Sequence, residues 1–297
     1  MILIREHIVE KDLAEPIRLL DFCVGLFEEI PSKKGVKKAI QRGEILLNGE
    51  QVENGRFVRL GDKVQLVDAM LTSPKPYKED LRIPYIDEHL AIVYKPAGLP
   101  VSGNQYRTLQ NVLVHNIEKS SEADALPWSK PVHRLDSATQ GLVVIARTRT
   151  AIMELGKLFE HRAIQKTYNA VISGFIGDSG IIEHQVEDKE SKTTFKTLQV
   201  CDSVNYEKVS LVEYKPHTGR THQLRIHSQL EGAPIIGDVL YGEKGKTLLS
   251  KGLFLAAIGL EFQHPITDET LVLNEPVPAK FLKYLEREQA RWNKYRV

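Results

Sequence analysis

The chain has few of the residues that mark disulfide-rich, zinc-binding, secreted or membrane proteins. Its 297 residues include two cysteines, Cys23 and Cys201, which lie far apart and form no C-x-x-C motif. This usage predicts neither a zinc site nor a disulfide framework, and it favours a reducing compartment. The apolar run that begins at Met1 is too short for a signal peptide, and no apolar run reaches the length of a membrane span. We therefore expect a cytoplasmic protein with no membrane partner.

The chain also has almost no net charge. Its 40 Lys and Arg residues nearly balance its 39 Asp and Glu residues, which leaves a net charge of +1. Overall charge therefore does not indicate a nucleic-acid-binding protein, and a basic surface of that kind has to be local. The length allows one large domain or two modest ones.

One short segment departs from this balance. Between residues 31 and 43 there is no acidic residue, and five cations follow one another at helical spacing. These cations are Lys33, Lys34, Lys37, Lys38 and Arg42. A plain solvated helix face is the simplest interpretation of a charge run. A helix face with one sign of charge repels itself, however, and RNA phosphates would relieve that repulsion.

The elements around this segment follow a recognisable order. A helix, the basic helix, a glycine, a strand, an Asn-Gly turn, a second strand, a Gly-Asp turn and a third strand succeed one another between residues 16 and 68. This order resembles the S4 RNA-binding domain. The resemblance implies a small N-terminal α/β domain over residues 1–68 that contacts RNA backbone. Residues 69–82, with two prolines and mixed charge, are predicted to be a linker.

A polar loop that leads into an apolar strand is the central feature of the second part of the chain. His133, Arg134 and Asp136 precede the apolar run Leu142–Ala146, which has the pattern of a buried strand. Taken alone, Asp136 has the pattern of an ordinary Asx-turn residue. The whole string resembles the His-Arg-Leu-Asp-x-x-Thr-Ser-Gly-Leu signature of the RluA-type pseudouridine synthases, with Gln140 in the position of the serine.

Three further motifs extend this resemblance over about residues 83–270. They are Lys95-Pro96-Ala97-Gly98, the Lys-x-Tyr-x-Ala pattern of residues 166–170, and Thr218-Gly219-Arg220-Thr221-His222-Gln223. The resemblance implies an α+β fold for residues 83–297. We expect a mixed, largely antiparallel sheet flanked by helices and loops.

The resemblance also assigns roles to individual residues. Asp136 is the implied catalytic carboxylate, Tyr168 is the active-site tyrosine, and Arg220 is the arginine that pairs with the aspartate. A guanidinium in that place favours the ionised carboxylate and orients it through a bidentate fork. Arg134 is expected to fill the place of the extruded uridine, with His133 and Lys95 as neighbouring RNA contacts.

The implied reaction converts uridine in structured RNA to pseudouridine. The N1–C1′ bond breaks, the uracil turns, and C5 bonds to C1′. Asp136 could attack C1′, attack C6, or remove the C2′ proton, and the sequence does not choose among these. The reaction needs neither cofactor nor metal. Ribosomal RNA is the favoured substrate and transfer RNA the second, and we expect a monomer without a protein partner.

Other interpretations remain open from the sequence. A non-catalytic RNA-binding or ribosome-assembly protein that keeps the fold is the main alternative. A glycoside hydrolase would need a second carboxylate, for which Asp238 is a candidate. A metal site is disfavoured, because His222 and His227 are five residues apart rather than three or four.

Overall fold

The chain forms two compact units in a computed structural model, residues Met1–Ser73 and Pro74–Val297. The break between them falls inside the predicted linker. The structure describes residues 3–10, 16–41, 43–53, 55–67, 74–103, 105–243, 245 and 251–295. Among these residues, no helix combines the length and apolarity needed to cross a membrane.

The first unit is a small α/β structure. Its described elements are β1 (Leu3–Ile8), β2 (Ile17–Arg18), α1 (Leu19–Phe22), α2 (Lys33–Gln41), β3 (Ile45–Leu47), β4 (Glu50–Gln51), β5 (Phe57–Val58) and β6 (Lys63–Val67). An antiparallel sheet has the order β1-β6-β3-β4, and β2 pairs with β5. Helix α2 buries Val36, Ala39 and Ile40 in the apolar core of this unit.

The second unit is built on a large sheet. Its strands are β7 (Arg82–Ile86), β8 (Leu90–Lys95), β9 (Ala125–Pro131), β10 (Gln140–Thr148), β11 (Gln165–Ser173), β12 (Ser179–Ile182), β13 (Thr193–Ser203), β14 (Glu207–Pro216), β15 (Leu255–Gln263) and β16 (Thr270–Asn274). The order is β12-β13-β14-β11-β15-β10-β8-β7, with β16 on β15 and β9 on β10. Among the described strands, β10 and β15 run parallel and the other pairs are antiparallel. The predicted mixed, largely antiparallel sheet is confirmed.

Helices accompany this sheet. They are α3 (Leu109–Asn116), α4 (Arg149–Glu160), α5 (Gln223–Leu230) and α6 (Ala279–Tyr295). The hydroxyls of Thr108 and Thr148 accept hydrogen bonds from backbone N–H groups in the first turns of α3 and α4 and thereby cap them. The amphipathic pattern of residues 278–286 predicts the start of α6, which continues to Tyr295.

Residues 74–82 of the predicted linker belong to the second unit. The backbone N–H of Tyr77 donates to the carbonyl of Asn111, and that of Leu81 donates to the side chain of Asn116. Both Tyr77 and Leu81 also pack against the core beside α3. This part of the chain is therefore anchored by backbone hydrogen bonds and apolar contact.

One row of residues across the sheet positions the site. Gly141 pairs with Lys95 of β8 on one side and with Ala257 of β15 on the other. Ala257 pairs in turn with Tyr168 of β11. The row therefore places the loop before β10 beside β11, although the two are distant in sequence. Gly141 has φ +126, and a Cβ there would lie 2.1 Å from the carbonyl oxygen of Ala257.

This contact predicts the effect of a single methyl group. Gly141→Ala should destabilise the second unit by about 2–4 kcal/mol, because the methyl meets backbone and the residue carries a strained φ. Gly156→Ala is the matched control. Gly156 lies in α4 with open space around it, so alanine should stabilise by about 0.5–1 kcal/mol. Thermal unfolding measures both, and an unchanged midpoint for Gly141→Ala would contradict the close approach.

Candidate active site

Asp136 lies in a cleft of about 1090 Å³. The loop before β10, the start of β11, and the segment between β14 and α5 form this cleft. Two carboxylates, Asp136 and Glu160, contribute to its described lining. Six cations contribute as well, and these are Arg134, Arg162, Lys166, Lys215, Arg220 and Arg225. The cleft is thus a local basic surface on a chain whose net charge is close to zero.

The loop that carries Asp136 is held by backbone hydrogen bonds. The N–H of Thr139 donates to the carbonyl of Asp136 at 3.0 Å, which closes a turn. The carbonyl of Ser137 accepts the N–H of Gly98 at 2.7 Å and the ammonium of Lys95 at 3.2 Å. The carboxylate therefore projects from a loop fixed on both sides, with about 21% of its side chain exposed.

Arg225 is the cation that contacts Asp136. Its Nη1 donates to Oδ2 of Asp136 at 3.4 Å. The same guanidinium forms a bidentate pair with Asp238, with Nε to Oδ2 at 2.7 Å and Nη2 to Oδ1 at 2.8 Å. Burial lowers the pKa of Arg225, but the hydrogen bonds and charges of Asp238 and Asp136 outweigh burial and raise it. Arg225 is therefore a fixed positive charge beside the loop that carries Asp136.

Asp238 is committed to holding this arginine. Its carboxylate is buried, and besides Arg225 it accepts the backbone N–H groups of Leu240 and Tyr241. Burial raises the pKa of Asp238, and the hydrogen bonds from Arg225 and the two N–H groups overcome this and lower it. A carboxylate occupied in this way is not available as a catalytic acid, so Asp238 gives no support to glycoside hydrolysis.

The predicted pairing of Arg220 with Asp136 is wrong. Arg220 donates from Nε to the carbonyl of Glu190 at 3.1 Å, and its backbone N–H donates to Gln223. It lies before α5 and lines the same cleft as Asp136, but no contact among the described residues joins the two side chains. His222 directly precedes α5 and Arg225 lies in its first turn, and both side chains reach Oδ2 of Asp136. Their closeness in sequence was the available signal for Arg225.

Two residues that the sequence did not single out for catalysis complete the surroundings of Asp136. Nε2 of His222 lies 3.6 Å from Oδ2 of Asp136. Nδ1 of His222 lies 3.0 Å from the hydroxyl of Tyr241, and the two rings meet edge to face. His227, by contrast, contacts Ser191 and the carbonyl of His184, so the two histidines do not converge on one point.

Tyr168 lines the cleft from strand β11, as its predicted role requires. It packs partly buried against the two apolar clusters of the second unit. Burial, and then the charge of Asp136, raise the pKa of its hydroxyl well above the usual range. The phenol therefore stays protonated near neutral pH.

His133 and Arg134 are adjacent in sequence but differ in environment. Nε2 of His133 accepts the backbone N–H of Val144 at 2.9 Å, and its ring stacks on Phe159. Burial, with a contribution from Lys166, lowers the pKa of His133 to about 3, so the ring is neutral. This environment makes His133 a structural contact rather than an RNA contact. Arg134 is exposed and lines the cleft.

The predicted RNA contact of Lys95 is also wrong. Lys95 is fully buried, and its ammonium donates to the carbonyls of Pro96, Leu99 and Ser137 at 2.8–3.2 Å. Burial lowers the pKa of Lys95 to about 8, although the charge of Asp136 acts in the opposite direction. The side chain ties its own loop to the loop of Asp136 and has no surface to offer to RNA.

The basic helix of the first unit presents its lysines to solvent. Lys34, Lys37 and Lys38 are exposed and make no ion pair within the described part of the chain, whereas Lys33 pairs with Asp21 at 2.7 Å. Arg42 lies outside the described residues. Because the apolar side of α2 is buried, these lysines form a one-sided charged surface.

Comparison with known proteins assigns the chain to a family. Residues 89–230 match the family described as RNA pseudouridylate synthase. An uncharacterized RNA pseudouridine synthase of Aquifex aeolicus is 33% identical, over 84% of this chain and 87% of its own length. The chain belongs to the RNA pseudouridine synthase family. The predicted RluA-type membership is confirmed, and with it an isomerase that acts on RNA.

Other relatives carry more specific names. Ribosomal large subunit pseudouridine synthase D of Xanthomonas campestris is 30% identical, over 90% of this chain and 88% of its own length. Among solved structures, one similar to this chain is that of human RNA pseudouridylate synthase domain containing 1. The match covers 69% of this chain and 86% of the human chain. Its TM-score is 0.57 at 27% identity, which shows that the two share the synthase fold.

The geometry predicts different effects at the two arginines of this segment. Arg225→Lys should lower the single-turnover rate of pseudouridine formation by about 100-fold, because lysine cannot make the fork that also reaches Asp136. Arg220→Lys should stay within about threefold of the unchanged enzyme, since its contact with a carbonyl needs one donor. Rates on a transcript that the unchanged enzyme modifies measure both. The reverse order would restore Arg220 as the partner of the aspartate.

Proposed function

We propose that this enzyme converts specific uridines of ribosomal RNA to pseudouridine, with Asp136 as the catalytic carboxylate. The supporting observation is the position of Asp136 in a basic cleft, held by Arg225. Relatives named ribosomal large subunit pseudouridine synthase C and D favour ribosomal RNA as the substrate. We also propose that the enzyme is a monomer in the cytoplasm, and the buried, unpaired Cys23 and Cys201 fit a reducing compartment.

The contacts of Asp136 support a reaction that begins with an oriented carboxylate. Oδ2 faces Arg225 and His222, and within the described residues no hydrogen bond reaches Oδ1. An oriented carboxylate with one unoccupied oxygen suits attack on C1′, attack on C6, or removal of the C2′ proton. All three routes end with C5 bonded to C1′ and a proton lost from C5.

The surrounding residues supply recognition. We assign to Tyr168 stacking on the extruded uracil, because it lines the cleft beside Asp136 from strand β11. Arg134 is exposed next to the catalytic loop, where its planar cation can occupy the space that the uridine leaves. Extrusion costs a few kcal/mol, and contacts of this kind offset that cost.

We further propose that the first unit is an S4-like domain that binds RNA through α2. Support comes from the exposed lysines on one side of the helix and the buried Val36, Ala39 and Ile40 on the other. Contacts of lysine with phosphate contribute affinity and position rather than sequence recognition.

Asp136→Asn tests the catalytic assignment. Cells that lack the gene should lose pseudouridine at one or more ribosomal RNA positions, and Asp136→Asn should fail to restore them while the purified variant still binds the RNA. Asp188→Asn is the control, because Asp188 is exposed at a positive φ that asparagine tolerates. Restoration by Asp136→Asn would refute the role of this carboxylate.

Replacing three lysines of α2 tests the role of the first unit. The triple variant Lys34→Ala, Lys37→Ala and Lys38→Ala should reduce the slope of log affinity against log salt by about 2, as expected when phosphate contacts are lost. A second triple variant, Lys119→Ala, Lys189→Ala and Lys283→Ala, removes the same charge from exposed positions of the other unit. Equal slopes for the two variants would show that only net charge matters.

A further inference from the structure

A closed set of contacts surrounds the catalytic carboxylate. Arg225 links Asp136 to Asp238, and Asp238 accepts the backbone N–H of Tyr241 at 3.1 Å. The Tyr241 hydroxyl lies 3.0 Å from Nδ1 of His222, whose Nε2 lies 3.6 Å from Asp136. Asp136 is thus approached from two sides, and the two approaches share Asp238 as a common anchor.

We propose that His222, held by Tyr241, is a positioning residue that fixes Oδ2 of Asp136 together with Arg225 and leaves Oδ1 to face the uridine. The inference deepens the proposed function and rests on it. Nothing in the resemblance or in the relatives assigns this task to His222.

The hydrogen positions follow from the partners. A carboxylate oxygen only accepts, so the Nε2 that faces Asp136 serves it best when it carries the hydrogen. A neutral imidazole with hydrogen on Nε2 has an acceptor at Nδ1, and the Tyr241 hydroxyl is placed to donate to it. In this arrangement His222 donates from Nε2 towards Oδ2 of Asp136, while the Tyr241 hydroxyl donates to Nδ1.

The backbone of His222 adopts a conformation that is uncommon for a residue other than glycine. It is a non-glycine residue with φ 56 and ψ 20, in the left-handed region, directly before α5. Its side chain makes no capping hydrogen bond to the helix. Strain at a non-glycine residue persists where surrounding contacts fix it, and such residues cluster at active sites. Here the side chain is used for Asp136 and Tyr241 instead of for the helix.

Tyr241 is itself held in place. Its ring lies under the guanidinium of Arg225, with 5.1 Å from the guanidinium carbon to the ring centroid. Its N–H is held by the buried Asp238, which also accepts the N–H of Leu240. The hydroxyl that reaches His222 thus projects from a rigid turn. Arg225 and the Tyr241–His222 pair, which both approach Asp136, are therefore held by the same residue, Asp238.

Two substitutions of His222 distinguish the effect of its ring nitrogens on Asp136 from the effect of the size of its side chain. His222→Phe keeps a ring but removes both nitrogens, whereas His222→Gln keeps an N–H near the place of Nε2. Both carry the same backbone strain as a non-glycine residue at this φ. The substrate is a large-subunit ribosomal RNA transcript labelled with tritium at uridine C5, since isomerisation releases that label. The release of tritium in a single turnover at saturating RNA gives the rate of pseudouridine formation. Filter binding gives the affinity of each variant for the RNA.

We expect His222→Phe to lower the rate about 100-fold with RNA affinity within about twofold. His222→Gln should retain the rate to within about tenfold. His115→Phe, at a partly exposed histidine of α3 outside the cleft lining, is the control and should leave the rate unchanged. A loss of RNA affinity with an unchanged rate for His222→Phe would overturn the proposal, as would equal losses for Phe and Gln.

A double-mutant cycle tests whether Tyr241 acts through His222. Tyr241→Phe should lower the rate about tenfold, and adding it to His222→Phe should cause little further loss, since the hydroxyl then has no imidazole to orient. Losses that multiply would overturn the link. If the unchanged enzyme releases no tritium, the proposed substrate is wrong, and an active unchanged enzyme with an active His222→Phe refutes this inference alone.

Discussion

The site depends on the buried guanidinium of Arg225, which is shared between two carboxylates. Asp238 holds it through two short hydrogen bonds, and Asp136 accepts a third hydrogen bond, from Nη1, at 3.4 Å. Removing one member of a buried ion pair leaves an uncompensated charge and costs about 3–5 kcal/mol. The arrangement therefore has to be complete, and the carboxylate of Asp136 keeps an orientation that a single flexible partner could not impose.

The sheet makes that arrangement possible. Segments that are distant in sequence meet in one row, in which Gly141 lies between Lys95 and Ala257, and Tyr168 lies beyond Ala257. The approach of β10 to β15 leaves no room for a side chain at Gly141. A glycine of the signature thus serves packing, while Asp136, five residues earlier, is the residue to which we assign the chemistry. The two residues belong to one continuous motif because the loop of Asp136 leads directly into β10, where Gly141 packs.

Apolar periodicity and turn residues are local signals, and they predicted the placement of Asp136 before a buried strand and the α2 helix. The fold class of the second unit came from the resemblance to the RluA-type synthases. That resemblance assigned the partner of Asp136 to the wrong arginine, because the choice between Arg220 and Arg225 depends on where α5 begins and which way the preceding loop turns. The sequence placed Lys95 at the surface because a lysine in a Pro-Gly loop is usually exposed. The three carbonyls that surround its ammonium come from two separate loops, which no local pattern reveals.

The distribution of charge in the cleft follows from these contacts and bears on how RNA enters. The positive charge of Arg225 is opposed by Asp136 and Asp238, so the floor of the cleft carries no excess of positive charge. The remaining cations of the lining, such as Arg134 and Lys215, are not tied to those carboxylates. A phosphate is therefore drawn to these cations and not to the floor, whereas an uncharged uracil loses little by approaching Asp136. With this charge pattern, the RNA backbone is attracted to the cations of the lining while the uracil can approach Asp136. A reaction on an extruded nucleotide needs the two in different places.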